Sequence, residues 1–175
     1  MSTTTTTVKK IHLRSSDDQD FEVVEAAALW SQTIKNMIDD GYDNDIIPVP
    51  NIKGSVLAKV IEYCNKHHEA EAQAEPEAES SSSSTTPAPA VVDPKLKAWD
   101  AEFVDQDYPA LFHLVMAANF LDIKDMLELT TQAVADKIKG KQPGEVREIF
   151  NIKNDFTPEE EEAIRSEHPW AYEED

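Results

Sequence analysis

A low-complexity segment at residues 69–94 interrupts the sequence and limits what the chain can fold into. This segment, EAEAQAEPEAESSSSSTTPAPAVVDP, contains only Val91 and Val92 as large apolar residues. Such a composition cannot bury enough apolar surface to offset the entropy lost on ordering. We therefore predict a disordered acidic insert at 69–94 and a disordered threonine tract at 1–7. Two structured stretches remain, at roughly 8–68 and 95–172, and they must supply the core.

The charge balance argues against two classes of partner. The chain has 175 residues, with 16 Lys and Arg against 35 Asp and Glu, and a formal net charge of -19. So anionic a surface repels nucleic-acid phosphates and anionic membranes, and we expect neither as a partner. No apolar run is long enough to span a membrane, and the N-terminus MSTTTTTVKK lacks the apolar core of a secretory signal. The single cysteine, Cys64, cannot form an internal disulfide. These features predict an intracellular protein in the nucleus or the cytosol.

The first stretch predicts a small sheet with helices against it. Ile11 and Leu13 alternate with polar residues, and Phe21 and Val23 do so again after Asp and Ser turn residues, which indicates a hairpin. The segment EAAALWSQTIKNMIDD predicts two short helices that end at Gly41.

Two further elements complete this stretch. The run IIPVP is broken by Pro48 and Pro50, so it is an edge strand or an extended segment. The apolar stripe from Val56 to Cys64 predicts an amphipathic helix that ends at about His68.

The second stretch has a helical pattern throughout. PALFHLVMAANF starts with Pro109 and is apolar nearly all round, which predicts a buried central helix. DIKDMLELTTQAVADKIKG offers Asp122 as an N-cap and Gly140 as a stop, and PGEVREIF begins a further helix at Pro143.

Candidate catalytic and metal-binding residues each have a simpler explanation. Cys64 lies on the apolar stripe of its helix, where a buried, inert thiol is favoured over a nucleophile. His67, His68 and Glu71 are within metal-ligand reach of one another, but a solvated helix end is favoured because no further ligands lie nearby. His113 interrupts an apolar helix, where a hydrogen bond to a neighbour is favoured over pH sensing. We expect no enzyme activity, no metal and no other cofactor.

The C-terminal tail combines strong helix signals with aromatic residues that lack local partners. Thr157 and Glu160 form a capping box at the start of a helix in TPEE. Two alternatives stay open for the apolar residues around it. They fold back onto the preceding helix as the last part of the core, or they form an apolar patch that another protein completes. These residues are Phe150, Ile152, Phe156, Ile164, Trp170 and Tyr172.

Five motifs resemble the S-phase kinase-associated (Skp-type) adaptor family, and most closely its plant members. They are FNIKNDFTPEEEEAIR, AANFLDIK, LKAWDAEF, VADKIKGK and LAKVIEYCNKH. Members of this family link F-box proteins to a cullin in SCF ubiquitin ligases. The resemblance implies an α+β, mostly α fold. It also implies a BTB/POZ-type lobe at 8–68 that is completed by 95–120, followed by C-terminal dimerisation-type, F-box-binding helices at 121–175.

The resemblance also implies a function without an active site. The chain would be a bridge in the nucleus and cytoplasm that holds an F-box protein beside a cullin, and indirectly beside a RING protein and an E2. Carried over residue by residue, the cullin contact falls on Asn119 and Phe120, where Phe120 replaces the usual Tyr. The alternative is a BTB-type interaction subunit that binds F-box proteins outside a cullin ligase. The F-box contact falls on Phe150, Ile152, Asn154, Phe156, Ile164 and Trp170.

Overall fold

The structure, a computed structural model, describes residues 9–42, 45–74 and 93–172. The threonine tract at 1–7 and residues 75–92 of the predicted insert lie outside the described residues. Within the described ranges, no helix has both the length and the apolar character needed to cross a bilayer.

A small sheet forms one side of the N-terminal lobe. Strands β1 (Lys10–Ser15) and β2 (Asp20–Val24) form the predicted antiparallel hairpin, in which Ile11 lies opposite Val23. Strand β3 (Ile46–Val49) pairs in parallel with β1, so the strand order is β2-β1-β3. The prediction of an edge strand is confirmed, and the edge is where the missing N–H of Pro48 is tolerated.

Three helices accompany the sheet. The first two are α1 (Glu25–Ala28) and α2 (Gln32–Met37), and a π-helical turn (Ile38–Tyr42) follows them. Within this turn Gly41 has a non-helical φ of 94°, so regular helical geometry ends there as predicted, and glycine adopts this φ without strain. Helix α3 (Gly54–Ala74) does not end at about His68 but continues through 69–74. Our boundary was wrong because Glu, Ala and Gln are strong helix formers that extend a helix already anchored by packing.

The remaining elements are all helical. They are α4 (Pro94–Val104), α5 (Tyr108–Phe120), α6 (Lys124–Ile138), α7 (Pro143–Ile149), α8 (Pro158–Glu167) and a short 3-10 helix (Pro169–Ala171).

The helix start predicted at Asp122 is wrong. Asp122 has a φ of 49°, and the residue at the N-cap position of α6 is Ile123, which makes no side-chain capping bond. Ile123 is only 1% exposed, so burial of its side chain, rather than a capping bond, sets where this helix begins. For α5 the cap is Asp107, whose carboxylate accepts from the backbone N–H of Ala110 at 3.2 Å.

One core joins the two stretches of the chain. Buried residues of β1, β3 and α3 pack with Phe103 of α4, with the inner face of α5 and with Ile123 and Met126. The outer face of α5 points away from this core, since Phe112 is 38% exposed and Met116 is 63% exposed. The predicted buried central helix is therefore buried on one face only. His113, the residue that interrupts this apolar helix, is exposed as well, so burial does not force a hydrogen bond on its ring.

Candidate protein-binding surfaces

The tail after α7 is built by local chemistry. Asn151 turns the chain with a φ of 51°, and the backbone N–H of Ile152 donates to the carbonyl of Arg147 at 2.8 Å. At the start of α8 the predicted capping box is present. The Glu160 N–H donates to Thr157 Oγ1 at 3.3 Å, and the Thr157 N–H donates to Glu160 Oε2 at 2.8 Å. Between these two signals, residues 152–157 have no regular secondary structure.

The apolar tail residues divide between the two alternatives, because some fold back onto the preceding elements and others stay exposed. Phe150 is half-buried and its ring meets that of Phe112 on α5 at right angles, with centroids 5.1 Å apart. Tyr172 also folds back: its carbonyl accepts from Gln142 Nε2 at 3.4 Å, and Arg165 lies 4.9 Å from its ring centroid.

Three other apolar side chains of the tail stay exposed. They are Ile152 at 54%, Phe156 at 46% and Trp170 at 73%, while Ile164 is half-buried. No residue of α7 or α8 is buried. We call Ile152, Phe156, Ile164 and Trp170, together with Phe150, the tail surface.

Sequence reasoning missed two residues beside the tail surface. Phe112 and Met116 are four residues apart on α5, so they share one face of that helix, and Phe112 contacts Phe150. A usable signal was present. A helix that is apolar nearly all round, in a lobe whose other helices are amphipathic, has more apolar surface than one core can cover.

Asn154 is placed differently from the other candidate residues. Its Nδ2 donates to Glu161 Oε1 at 2.7 Å, and its Oδ1 accepts from the backbone N–H of Phe156 at 3.3 Å. The same Glu161 oxygen accepts from Arg147 Nη1 at 3.2 Å. The Asn154 side chain is thus engaged within the tail.

The other two candidate residues lie at the C-terminal end of α5. Asn119 is exposed and Phe120 is half-buried against the core. Two hydroxyls of the α1–α2 region hold this end: Ser31 Oγ donates to the Leu121 carbonyl at 2.6 Å and Thr33 Oγ1 to the Phe120 carbonyl at 3.0 Å. We call Asn119 and Phe120 the α5-end surface. It lies about 10 Å along the helix axis from Phe112, given the rise of an α-helix.

The groups considered for catalysis or metal binding are placed as follows. The predicted burial of the Cys64 thiol is confirmed, and this burial raises its pKa to about 12. His67 is not at a solvated helix end, and that expectation is wrong. Its ring stacks on Tyr63 with centroids 4.0 Å apart, and its Nε2 lies 2.8 Å from Asp100 Oδ1. Across residues 9–42, 45–74 and 93–172, no group of His, Cys, Asp and Glu side chains is arranged to hold a metal ion.

Comparison with known proteins identifies the family. Residues 9–69 match the model of the Skp1 family tetramerisation domain, and residues 124–171 match that of the Skp1 family dimerisation domain. SKP1-like protein 1 of Oryza sativa subsp. japonica is 63% identical over 94% of this chain and 96% of its own length. SKP1-like protein 1A of Arabidopsis thaliana is 52% identical over 94% of this chain and 98% of its own length. These matches confirm the resemblance to plant members and the mostly helical α+β fold. The chain belongs to the Skp1 family.

Proposed function

We propose that the chain is the non-catalytic adaptor of an SCF ubiquitin ligase in the nucleus and cytoplasm. It bridges F-box substrate receptors to a cullin, so that target proteins are ubiquitinated and degraded. Membership of the Skp1 family supports this function. The observation that carries it is the tail surface, where Ile152, Phe156 and Trp170 are exposed beside helices without a single buried residue. Large exposed apolar side chains on one short stretch of chain are typical of interaction sites in soluble proteins.

The F-box protein binds at the tail surface in this proposal. Large apolar and aromatic side chains within a polar rim are the usual composition of a binding hot spot. The rim is supplied by the acidic first turn of α8. Phe112 and Met116 extend the apolar area onto α5, because Phe112 is in ring contact with Phe150.

The cullin binds at the α5-end surface, and the RING protein and the E2 are reached through it. Asn119 offers an exposed amide, and Phe120 offers the part of its ring that the core leaves uncovered. Because Phe120 has no hydroxyl, the contact with the cullin rests on packing of the ring rather than on a hydrogen bond from it. Because the two surfaces consist of different residues, we expect both partners to bind at once.

Co-purification with one F-box protein and one cullin N-terminal domain tests the proposal. Size-exclusion chromatography with light scattering should show a 1:1:1 complex. The double variant Asn119→Ala/Phe120→Ala should lose the cullin and keep the F-box protein, whereas the control Thr131→Ala, an exposed position on α6, should keep both. If the chain binds the F-box protein but never the cullin, it is an interaction subunit outside a cullin ligase. If it binds neither, the proposed function is wrong.

A further inference from the structure

A small polar network holds the irregular part of the tail. We call it the Glu161 network, and it consists of Arg147 on α7, Asn154 in the connection and Glu161 on α8. One oxygen of Glu161 accepts from both of the others, at 3.2 Å from Arg147 Nη1 and 2.7 Å from Asn154 Nδ2. Charge-assisted bonds of this kind are among the stronger hydrogen bonds of proteins. The network therefore ties two helices and the segment between them to one carboxylate.

The network reaches Phe156, and the backbone of Arg147 holds Ile152. Asn154 Oδ1 accepts from the backbone N–H of Phe156, and the Arg147 guanidinium lies 5.8 Å from the centroid of the Phe156 ring. On the other side, Ile152 donates its N–H to the carbonyl of Arg147. The backbone at Ile152 and the ring of Phe156 are thus both restrained by Arg147.

The restraint matters because the core does not provide one. Ile152 is 54% exposed and Phe156 is 46% exposed, so neither is held by burial. A segment without regular structure loses conformational entropy when a partner orders it, and that loss weakens binding. Bonds that already hold the segment in one conformation reduce the loss.

We propose that Glu161, acting with Arg147 and Asn154, is a positioning residue that pre-organises Phe156 and the segment that carries it for the F-box protein. This inference rests on the proposed function. It assigns Asn154 a role inside the chain, in place of the direct partner contact that the family resemblance implied. Glu161 supports the contact residues through the other two side chains and need not touch the partner.

Titration of the full chain with a purified F-box protein tests the role of Glu161. Glu161→Ala should weaken binding by about tenfold, because the segment must then be ordered during binding. The control is Glu162→Ala, which removes the same charge from the next position. Glu162 is exposed and makes no hydrogen bond or ion pair within the described part of the chain, so its loss should change affinity less than about twofold. Equal affinities for the two variants would overturn the inference while leaving the proposed function intact.

Two further measurements separate positioning from damage to the fold. Hydrogen exchange at the Phe156 amide should speed up in Glu161→Ala and not in Glu162→Ala, since only the first loses the support of Asn154. Cullin binding at the α5-end surface should be unchanged in both. Loss of cullin binding in Glu161→Ala would mean general destabilisation and would overturn the inference.

A double-mutant cycle tests the role of Asn154. Asn154→Ala should weaken F-box binding in the wild-type background and change it little in the Glu161→Ala background, because the two residues act through one bond. An equal loss in both backgrounds would mean that Asn154 touches the partner directly, which would overturn the inference. If the wild-type chain binds no F-box protein at all, the proposed function fails first.

Discussion

Replacement of Ser31 by Ala should destabilise the whole fold, because one hydroxyl serves two helices. Ser31 is 1% exposed. Its Oγ accepts from the backbone N–H of Ile34 at 3.1 Å, which caps the start of α2, and donates to the carbonyl of Leu121 at 2.6 Å, just past the end of α5. The substitution leaves both groups without this partner.

The expected loss follows from these two bonds. Removing a serine N-cap costs about 1 kcal/mol. Leaving a buried carbonyl without its hydrogen bond costs about 1–3 kcal/mol. The backbone N–H of Thr33 also donates to the Leu121 carbonyl, at 3.4 Å. This carbonyl therefore keeps one hydrogen bond in the variant, which reduces the second of these costs. We therefore expect the free energy of unfolding to fall by about 2–3 kcal/mol, which lowers the melting temperature by about 5–10 °C in a chain of this size.

Urea unfolding followed by tryptophan fluorescence measures this loss. The matched control is Ser55→Ala, an exposed serine near the start of α3, which should change stability by less than about 0.5 kcal/mol. If Ser31→Ala were as stable as the control, the two hydrogen bonds would not be what joins α2 to the end of α5, and our reasoning would be refuted.

Three other outcomes are expected. Trp170→Ala should weaken F-box binding by about 2 kcal/mol or more. It should leave the melting temperature nearly unchanged, because the side chain is 73% exposed, and an unaltered affinity in a titration would contradict its role as an anchor. Cys64 should resist iodoacetamide at pH 8 in the native chain and react on unfolding, because burial raises its pKa to about 12; fast native labelling would count against this. Hydrogen bonds from Ser15 and then from the Gly54 N–H hold the pKa of Asp17 below 3.8. Its contribution to stability is therefore present above pH 3.8 and lost as the pH falls below it, so Asp17→Asn should flatten the acid side of the stability profile measured by urea unfolding. A profile as steep as that of the wild type would rule this out.

Several features could be predicted because they depend on neighbours in sequence. The hairpin follows from two alternating segments joined by turn residues, and the register pairs Ile11 with Val23 as the alternation requires. The capping box at Thr157 and Glu160 closes within one helical turn, and Gly41 ends a helix through its own φ. The motifs of the tail were specific enough to indicate the family.

Other features could not be predicted because they depend on residues far apart in the chain. Which face of α5 stays exposed is decided by what packs on the opposite face, and no periodicity is left in a helix that is apolar nearly all round. His67 stacks on Tyr63 one turn earlier in α3, but its partner Asp100 lies 33 residues away on α4. The family resemblance placed Asn154 among the partner contacts, and it could not show that the amide lies against a carboxylate seven residues later.

The sequence by itself determined the local elements, the acidic charge, the family and the set of apolar tail residues from which a surface is built. These depend on spacing within a few residues, which a linear sequence records directly. Only the tertiary structure decided that Ile152, Phe156 and Trp170 stay exposed while Phe150 and Tyr172 fold back, and that Phe112 on the exposed face of α5 contacts Phe150. The physical reason is that exposure of a side chain is set by the elements packed around it. Contacts that join distant parts of the chain, such as the hydrogen bond of Ser31 to the Leu121 carbonyl 90 residues away, are not recorded in local sequence patterns.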